Sequence, residues 1–200
     1  MPYIDEPIRV PWYLRWGIRL AERKTHKKMM PGRLLSWYPK AALGAGVLES
    51  LVAHDDREVP GRLLKLIRVQ VSFSASCTFC IDMNSFDFEG SGISEEEISF
   101  LQKPDGISSC PSFTPQEKAA LNYVRQITAT PISMKEKTLN ALKSYYSPRA
   151  MVIIASTAAQ VNFWTRLIQG LGIAPAGFHE SCSVLNLHRY GTLEKDHNEN

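Results

Sequence analysis

The stretch Ser74-Ala75-Ser76-Cys77-Thr78-Phe79-Cys80-Ile81-Asp82-Met83-Asn84-Ser85 decides how this chain is read, because it holds the one C-x-x-C of the sequence. On a helix, side chains at i and i+3 share a face with Cβ atoms about 5–6 Å apart. A disulfide wants roughly 3.5–4.5 Å, so Cys77 and Cys80 join with modest adjustment, most easily in a first helical turn. There the free N–H groups and the helix dipole also favour thiolate over thiol. Asn84 follows Cys80 by four residues on the same face, within side-chain reach of its sulfur. The stretch contains no histidine and no glutamate, the groups that usually move protons for such sulfurs. The pair therefore reads as redox chemistry without a local base. Two plainer readings stand beside it: a pair of small buried hydrophobes, or half of a zinc site. Zinc needs two further ligands. Cys110 and Cys182 each stand alone, with no second C-x-x-C and no His-x-x-x-His.

Outward from the motif, the pattern is mostly helical. Thr114-Pro115-Gln116-Glu117 is a capping box with proline at the first helical position, followed by Ala120, Leu121, Val124 and Ile127 at helical spacing. Ser94 to Glu97 and Ser133 to Glu136 repeat the signature. Ser147-Pro148 opens the longest predicted helix, which runs to Gly170 or Gly172 ahead of Pro175. The segment Val69 to Ala75 alternates apolar and polar residues like a half-buried strand. The preceding Leu63, Leu64, Leu66 and Ile67 suit a helix equally well, and the pattern leaves the choice open. No Asn-Gly or Asp-Gly hairpin separates two alternating runs, so a β-sandwich or barrel has little support.

The totals fit one domain with an ordinary core: 200 residues, 44% hydrophobic and 22% charged. A net charge of +3, from 23 basic and 20 acidic residues, is too mild to imply nucleic acid. Four cysteines in this length are no disulfide scaffold. Arg15, Arg19 and Arg23 interrupt any signal-peptide core. The most apolar stretch, Ala150 to Thr165, is shorter than the roughly 20 residues that cross a bilayer. The expectation is a soluble cytoplasmic protein in a reducing compartment, where such a dithiol cycles.

Near the N-terminus, Trp12, Trp16 and Leu20 form one helical stripe, and Arg15, Arg19 and Arg23 another. The expected arrangement docks the aromatic stripe on the core and solvates the arginines. Contact with an anionic membrane surface is the alternative and is not expected. Asp82 is expected to be exposed or to cap its helix. The tail from Arg189 to Asn200 is expected to fray. The five histidines, His26, His54, His179, His188 and His197, are scattered, and any of them is free to reach the dithiol through the fold.

The run Cys77-Thr78-Phe79-Cys80-Ile81-Asp82-Met83-Asn84 resembles the C-x-x-C-I-D-M-H segment of the AhpD-like, carboxymuconolactone decarboxylase superfamily. Gly61 to Val69 resembles the helix that leads into that motif. Tyr145-Tyr146-Ser147-Pro148 and the following helix, with Asn162-Phe163-Trp164-Thr165-Arg166-Leu167, resemble the last core helix. The resemblance spans roughly residues 40 to 175, and it turns Val69–Ala75 to helix. It implies an all-α, AhpD-like helical bundle as a single domain at 41–175, with an N-terminal helical extension at 1–40 and a C-terminal extension and tail at 176–200. It also implies homo-oligomers and a thiol-dependent peroxidase that needs no metal or organic cofactor. In that chemistry Cys80 attacks the hydroperoxide, Cys77 resolves the sulfenic acid, and a lipoyl or thioredoxin-like dithiol reduces the disulfide. Two positions depart from the pattern. The glutamate twelve residues before the first cysteine falls on Lys65, and the histidine four after the second falls on Asn84. Asparagine cannot titrate, and lysine is a base only when strongly desolvated. The resemblance thus implies Cys77 and Cys80 as catalytic, Lys65 and Asn84 as site-tuning, and weakened peroxidase activity. The alternative is a non-catalytic member whose dithiol senses redox state or binds a partner. Decarboxylase members generally lack the C-x-x-C, which sets that activity lower.

Overall fold

A computed structural model describes residues 2–50 and 54–178, and among the described residues there are ten α-helices and no strand. In order they are α1 (Trp12–Thr25), α2 (Met30–Leu35), α3 (Pro39–Ser50), α4 (Gly61–Ser74) and α5 (Thr78–Ser85). A single 3₁₀ turn at Glu89–Ser91 leads to α6 (Glu95–Leu101), α7 (Gly106–Ser109), α8 (Pro115–Thr128), α9 (Glu136–Tyr145) and α10 (Pro148–Gly170). No described helix is long and apolar enough to cross a membrane. Cys182, His179, His188, His197 and the tail from Arg189 lie outside the described residues.

Helix α4 is the axis. Ten of its fourteen residues are buried, among them Leu63, Leu64, Leu66, Ile67, Val69, Val71 and Phe73. One side of α4 packs with α8, α9 and α10 through Leu64, Ile67, Val71, Ala120, Val124, Leu142, Ile154 and Val161. Its other side packs with α5 to α8 through Leu66, Val69, Phe73, Ile81, Ile98, Leu101 and Leu121. A helix covered all round has no polar face to show a 3.6-residue period. Val69–Ala75 reads equally as strand for that reason, and it is helix as far as Ser74.

The helix starts form largely as their local sequences direct. Ser94 and Thr114 close capping boxes with Glu97 and Glu117, and Ser147 Oγ accepts the Ala150 N–H at 3.1 Å. The two capping-box carboxylates also meet one guanidinium, Arg62 of α4, at 2.6 Å (Glu97) and 2.8 Å (Glu117). That junction ties the starts of α6 and α8 to the central helix. The box expected at Ser133 does not form. Helix α9 begins at Glu136 behind Lys135, whose N–H donates to Gln126 Oε1 on α8 at 2.8 Å. A tertiary bond thus takes the place of the local cap.

The aromatic stripe of α1 does not dock on the core. Trp12 is 80% exposed and Trp16 69%. The helix instead turns Leu14, Ile18 and Glu22 inward, three residues at i, i+4 and i+8. Leu14 is buried, and Ile18 lies over Gly32 so closely that a Cβ there would stand 3.3 Å from Ile18 Cγ1. Glu22 accepts from Arg33 Nε at 2.7 Å and Nη2 at 2.9 Å. A bidentate ion pair at the far end of the face sets which side of α1 goes in.

Candidate functional site

The turn between α4 and α5 presents the two cysteines. Ala75 and Ser76 close α4 with N–H bonds to Val71 O and Phe73 O, and Ser76 sits at φ 52°, in the left-handed region. The Cys77 N–H then returns to Ser72 O at 3.2 Å. Cys77 becomes the N-cap of α5, where its Sγ accepts the Cys80 N–H at 3.3 Å. Cys80 is the third residue of that helix. The pair is joined as a disulfide with Cα atoms 5.2 Å apart. The first helical turn, where the motif's spacing is easiest to bridge, is where both residues stand.

Both cysteines are covered: Cys77 is 1% exposed and Cys80 2%. The cover is apolar. Leu34 and Met30 come from α2, Trp164 and Ile168 from α10, and Leu171, Ile173 and Ala176 from the chain after α10, with Phe79 and Met83 from α5. Asp82 is buried as well, not exposed or capping. Its carboxylate accepts the Gly177 N–H at 2.8 Å, a bond from the backbone of the covering segment. Phe178 packs on Phe86 at 5.8 Å beside it. A shallow apolar groove of about 600 Å³ lined by Tyr123, Tyr146, Pro148 and Met151 includes none of these residues.

Lys65 and Asn84 both lie on the seam between α4 and α5. Lys65 Nζ donates to Phe86 O at the end of α5 at 2.6 Å. Burial, and then the positive charge of Arg68, push its pKa down to about 8, against a smaller opposing effect of Asp87. Asn84 Nδ2 donates to Ser72 Oγ at 3.0 Å, and Ser72 in turn donates to Arg68 O at 2.8 Å. The asparagine amide is bonded across the seam to α4.

Two residues that the sequence reading did not single out, Arg68 and Glu49, border the same region, together with His54. Arg68 is buried on α4 between Lys65 and Ser72. Glu49, at the end of α3, accepts from Gln160 Nε2 at 2.5 Å and from Trp164 Nε1 at 3.0 Å, both on α10. The carboxylate of Glu49 also acts on Arg68, where it opposes the lowering of the guanidinium pKa by burial. His54 stands within electrostatic range of Arg68, Glu49 and Lys65. Burial, and then the positive charge of Arg68, lower its pKa, against an opposing effect of Glu49. Lys65-x-x-Arg68-x-x-x-Ser72 is a helical stripe visible in the sequence. Nothing local connects it to Glu49. Cys110 is buried in the other core cluster, within 3.2 Å of Ser112 Oγ, and among the described residues no group of His, Cys, Asp or Glu is placed to hold a metal.

No protein-family model matches the chain. The uncharacterized protein YdfG of Bacillus subtilis strain 168 is 26% identical over 140 residues, 69% of this chain and 93% of its own. Among solved structures, the debrominase Bmp8, as a single-residue variant in complex with 2,3,4-tribromopyrrole, is 17% identical. It superposes at a TM-score of 0.73 over 86% of this chain and 92% of its own. The AhpD core of an uncharacterized peroxidase-related protein from Ralstonia eutropha JMP134 gives 0.73 at 14% identity, over 87% and 92%. A peroxidase-related protein from Silicibacter sp. TM1040 gives 0.72 at 13%, over 90% and 94%. The helices, their order around α4 and these superpositions agree: the chain has the all-α AhpD-like fold, with Cys77 and Cys80 at C-x-x-C spacing within it.

Proposed function

We propose that this protein is a thiol-dependent oxidoreductase of the AhpD-like type that reduces hydroperoxides through Cys77 and Cys80. The observation that carries the proposal is the placement of the pair: Cys77 as N-cap and Cys80 in the first turn of α5, near enough to close a disulfide. In the cycle, the Cys80 thiolate attacks the outer peroxide oxygen and the O–O bond breaks. Cys80 becomes a sulfenic acid, and the alkoxide leaves and takes up a proton. The Cys77 thiol then displaces water from the sulfenic sulfur and the disulfide forms. A lipoyl or thioredoxin-like dithiol supplies two electrons and two protons to reopen it. Lys65, protonated below about pH 8, is a proton donor on the seam for the departing oxygen. Asn84 holds α5 to α4. Exposed apolar side chains on α1 and α3, Trp12, Trp16, Leu43 and Val47, support assembly into a homo-oligomer.

The test is turnover of an alkyl hydroperoxide by reduced protein with excess dihydrolipoamide, following peroxide loss directly. Sustained turnover that disappears in Cys80→Ser is the expected result. Unchanged turnover in that variant overturns the assignment. A single stoichiometric oxidation points instead to a non-catalytic dithiol that senses redox state, and a change of assembly size on oxidation, by light scattering, would identify it.

A second reading, reductive dehalogenation of a small aromatic ring, is favoured by the walls of the site, where Trp164, Phe79, Met30 and Met83 share the apolar cluster of the two cysteines. The likeness to a debrominase supports it. Two thiols become a disulfide and supply two electrons and two protons; the carbon–bromine bond becomes carbon–hydrogen, and hydrogen bromide leaves. Bromide release from a brominated pyrrole by reduced protein, with no peroxide turnover, would select this reading.

A further inference from the structure

The outward face of α1 is built from two ridges that the fold leaves uncovered. At 3.6 residues per turn, Arg19, Trp12, Arg23, Trp16 and Leu20 fall in that order within an arc of about 100°, opposite Leu14 and Ile18. Trp12, Trp16 and Leu20 stand at i, i+4 and i+8, and Leu20 is 55% exposed. Arg15, Arg19 and Arg23 run beside them at the same spacing, all three exposed. Single exposed hydrophobes are ordinary, but three in a row make a contiguous patch of the kind that marks a contact site. The charge on this face has one sign. From Trp12 to Lys28 the chain has six basic residues and one acidic, Glu22. Glu22 turns inward to Arg33 at 2.7 Å, and Lys28 is paired with Glu6. Arg15, Arg19, Arg23 and Lys24 therefore face outward with no carboxylate of α1 on their side.

We propose that α1 lies flat on an anionic lipid bilayer, with Trp12, Trp16 and Leu20 entering the boundary between headgroups and acyl chains and Arg15, Arg19 and Arg23 contacting lipid phosphates. A tryptophan ring has a large apolar body and a polar N–H, so it settles where lipid meets water. An arginine lays its stem along apolar surface and keeps its guanidinium among the headgroups, where each cation adds roughly fivefold in affinity. The helix rests on the surface and does not cross it: α1 has 14 residues, and no described helix is long and apolar enough to span. A second copy of the chain fits this face less well. The core of a protein interface is poor in charge, and a two-fold contact here would set one arginine ridge against another with no carboxylate of α1 between them. Helix α3, uncharged from Ala41 to Leu48 with Leu43 and Val47 exposed, is the better face for assembly. The proposal is independent of the reaction at the cysteines. Ile18 and Glu22 fasten α1 to α2, which gives Met30 and Leu34 to the cover of the dithiol, so the docked helix is joined to that cover through α2.

The experiment is sedimentation of the full chain with vesicles of equal parts phosphatidylglycerol and phosphatidylcholine, against vesicles of phosphatidylcholine alone. Binding to the anionic vesicles with a blue shift of tryptophan emission is expected at low salt. It should weaken at about 1 M salt, where the Debye length is about 3 Å. Arg19→Gln with Arg23→Gln is expected to lower the affinity roughly 25-fold. Trp12→Ala with Trp16→Ala is expected to lower it by more than about tenfold and to remove most of the blue shift. All four side chains are exposed, so both double variants keep the parent's circular dichroism spectrum. No binding to anionic vesicles, equal binding to neutral ones, or unchanged binding in the arginine variant overturns the proposal. A chain that ignores vesicles, but whose assembly size by light scattering falls in the tryptophan variant, also overturns it and gives the face to a second copy.

Discussion

Asp82 Oδ2 accepts the Gly177 N–H at 2.8 Å and so fastens the chain after α10 across the helix that carries the dithiol. Leu171, Ile173 and Ala176 of that segment belong to the apolar cover of the two cysteines. Tyr3 adds a backbone bond to Leu171 O at 3.0 Å from the N-terminal side. Replacing Asp82 by Ala leaves the Gly177 N–H without this acceptor. Loss of a charge-assisted bond of this kind costs about 1–3 kcal/mol, enough to shift a local opening equilibrium at least roughly fivefold. The rate at which a bulky disulfide reagent labels the reduced cysteines should rise by that factor in Asp82→Ala. An unchanged labelling rate would mean that the cover is held elsewhere.

Arg62 joins two helix starts by one side chain, and its removal leaves Glu97 and Glu117 without their shared counter-charge. Both carboxylates are largely buried, so the loss exceeds that of a surface pair. Arg62→Ala should cost about 2 kcal/mol and lower the melting temperature by roughly 4–8 °C. Thermal unfolding followed by circular dichroism measures it.

Lys65 makes stability depend on pH with a definite sign. Its pKa is about 8 in the folded chain, below the ordinary lysine value of 10.5. Between those two values the unfolded chain binds more protons than the folded one, so stability rises with pH across that window. Below about pH 8 both states carry the charge, and the cost of burying it is fully present. Lys65→Met removes the effect. Its melting temperature should exceed that of the parent chain below pH 8, and the gap should close as pH rises towards 10.5. A gap independent of pH would show that Lys65 is ordinarily solvated.

Lys65→Glu together with Asn84→His restores to the α4–α5 seam the two groups expected to relay protons. The new carboxylate would lie beside Arg68 instead of repelling it, and the imidazole would stand one turn beyond Cys80. General-base assistance contributes about 10²–10⁴ in rate. Peroxide turnover in the double variant should rise by at least the lower figure over the parent chain, while either single change alone should gain far less. Equal rates in parent and double variant would show that the proton relay is not what limits this site.

The sequence by itself determined those features whose physics is complete within a few residues. The capping boxes at Ser94 and Thr114, the Ser147-Pro148 start of α10 and the C-x-x-C in a first helical turn each depend on bonds spanning three or four positions, and each stands where its residues put it. The helical resemblance around the motif was legible for the same reason. Three matters were left to the tertiary structure. A central helix buried on all sides shows no polar face, so the periodicity of α4 was ambiguous until α8, α5 and α10 surrounded it. Helix α1 offers two stripes that could turn inward, and contacts with Gly32 and Arg33 of α2 chose Leu14, Ile18 and Glu22 over Trp12, Trp16 and Leu20. The carboxylate of Glu49 on α3 is held by Trp164 of α10 and acts on Arg68 of α4, residues far apart in the chain and without a shared local signature. Hydrogen bonds along one helix turn are set by chain geometry, whereas the charge felt by a side chain depends on distances between segments that only packing brings together.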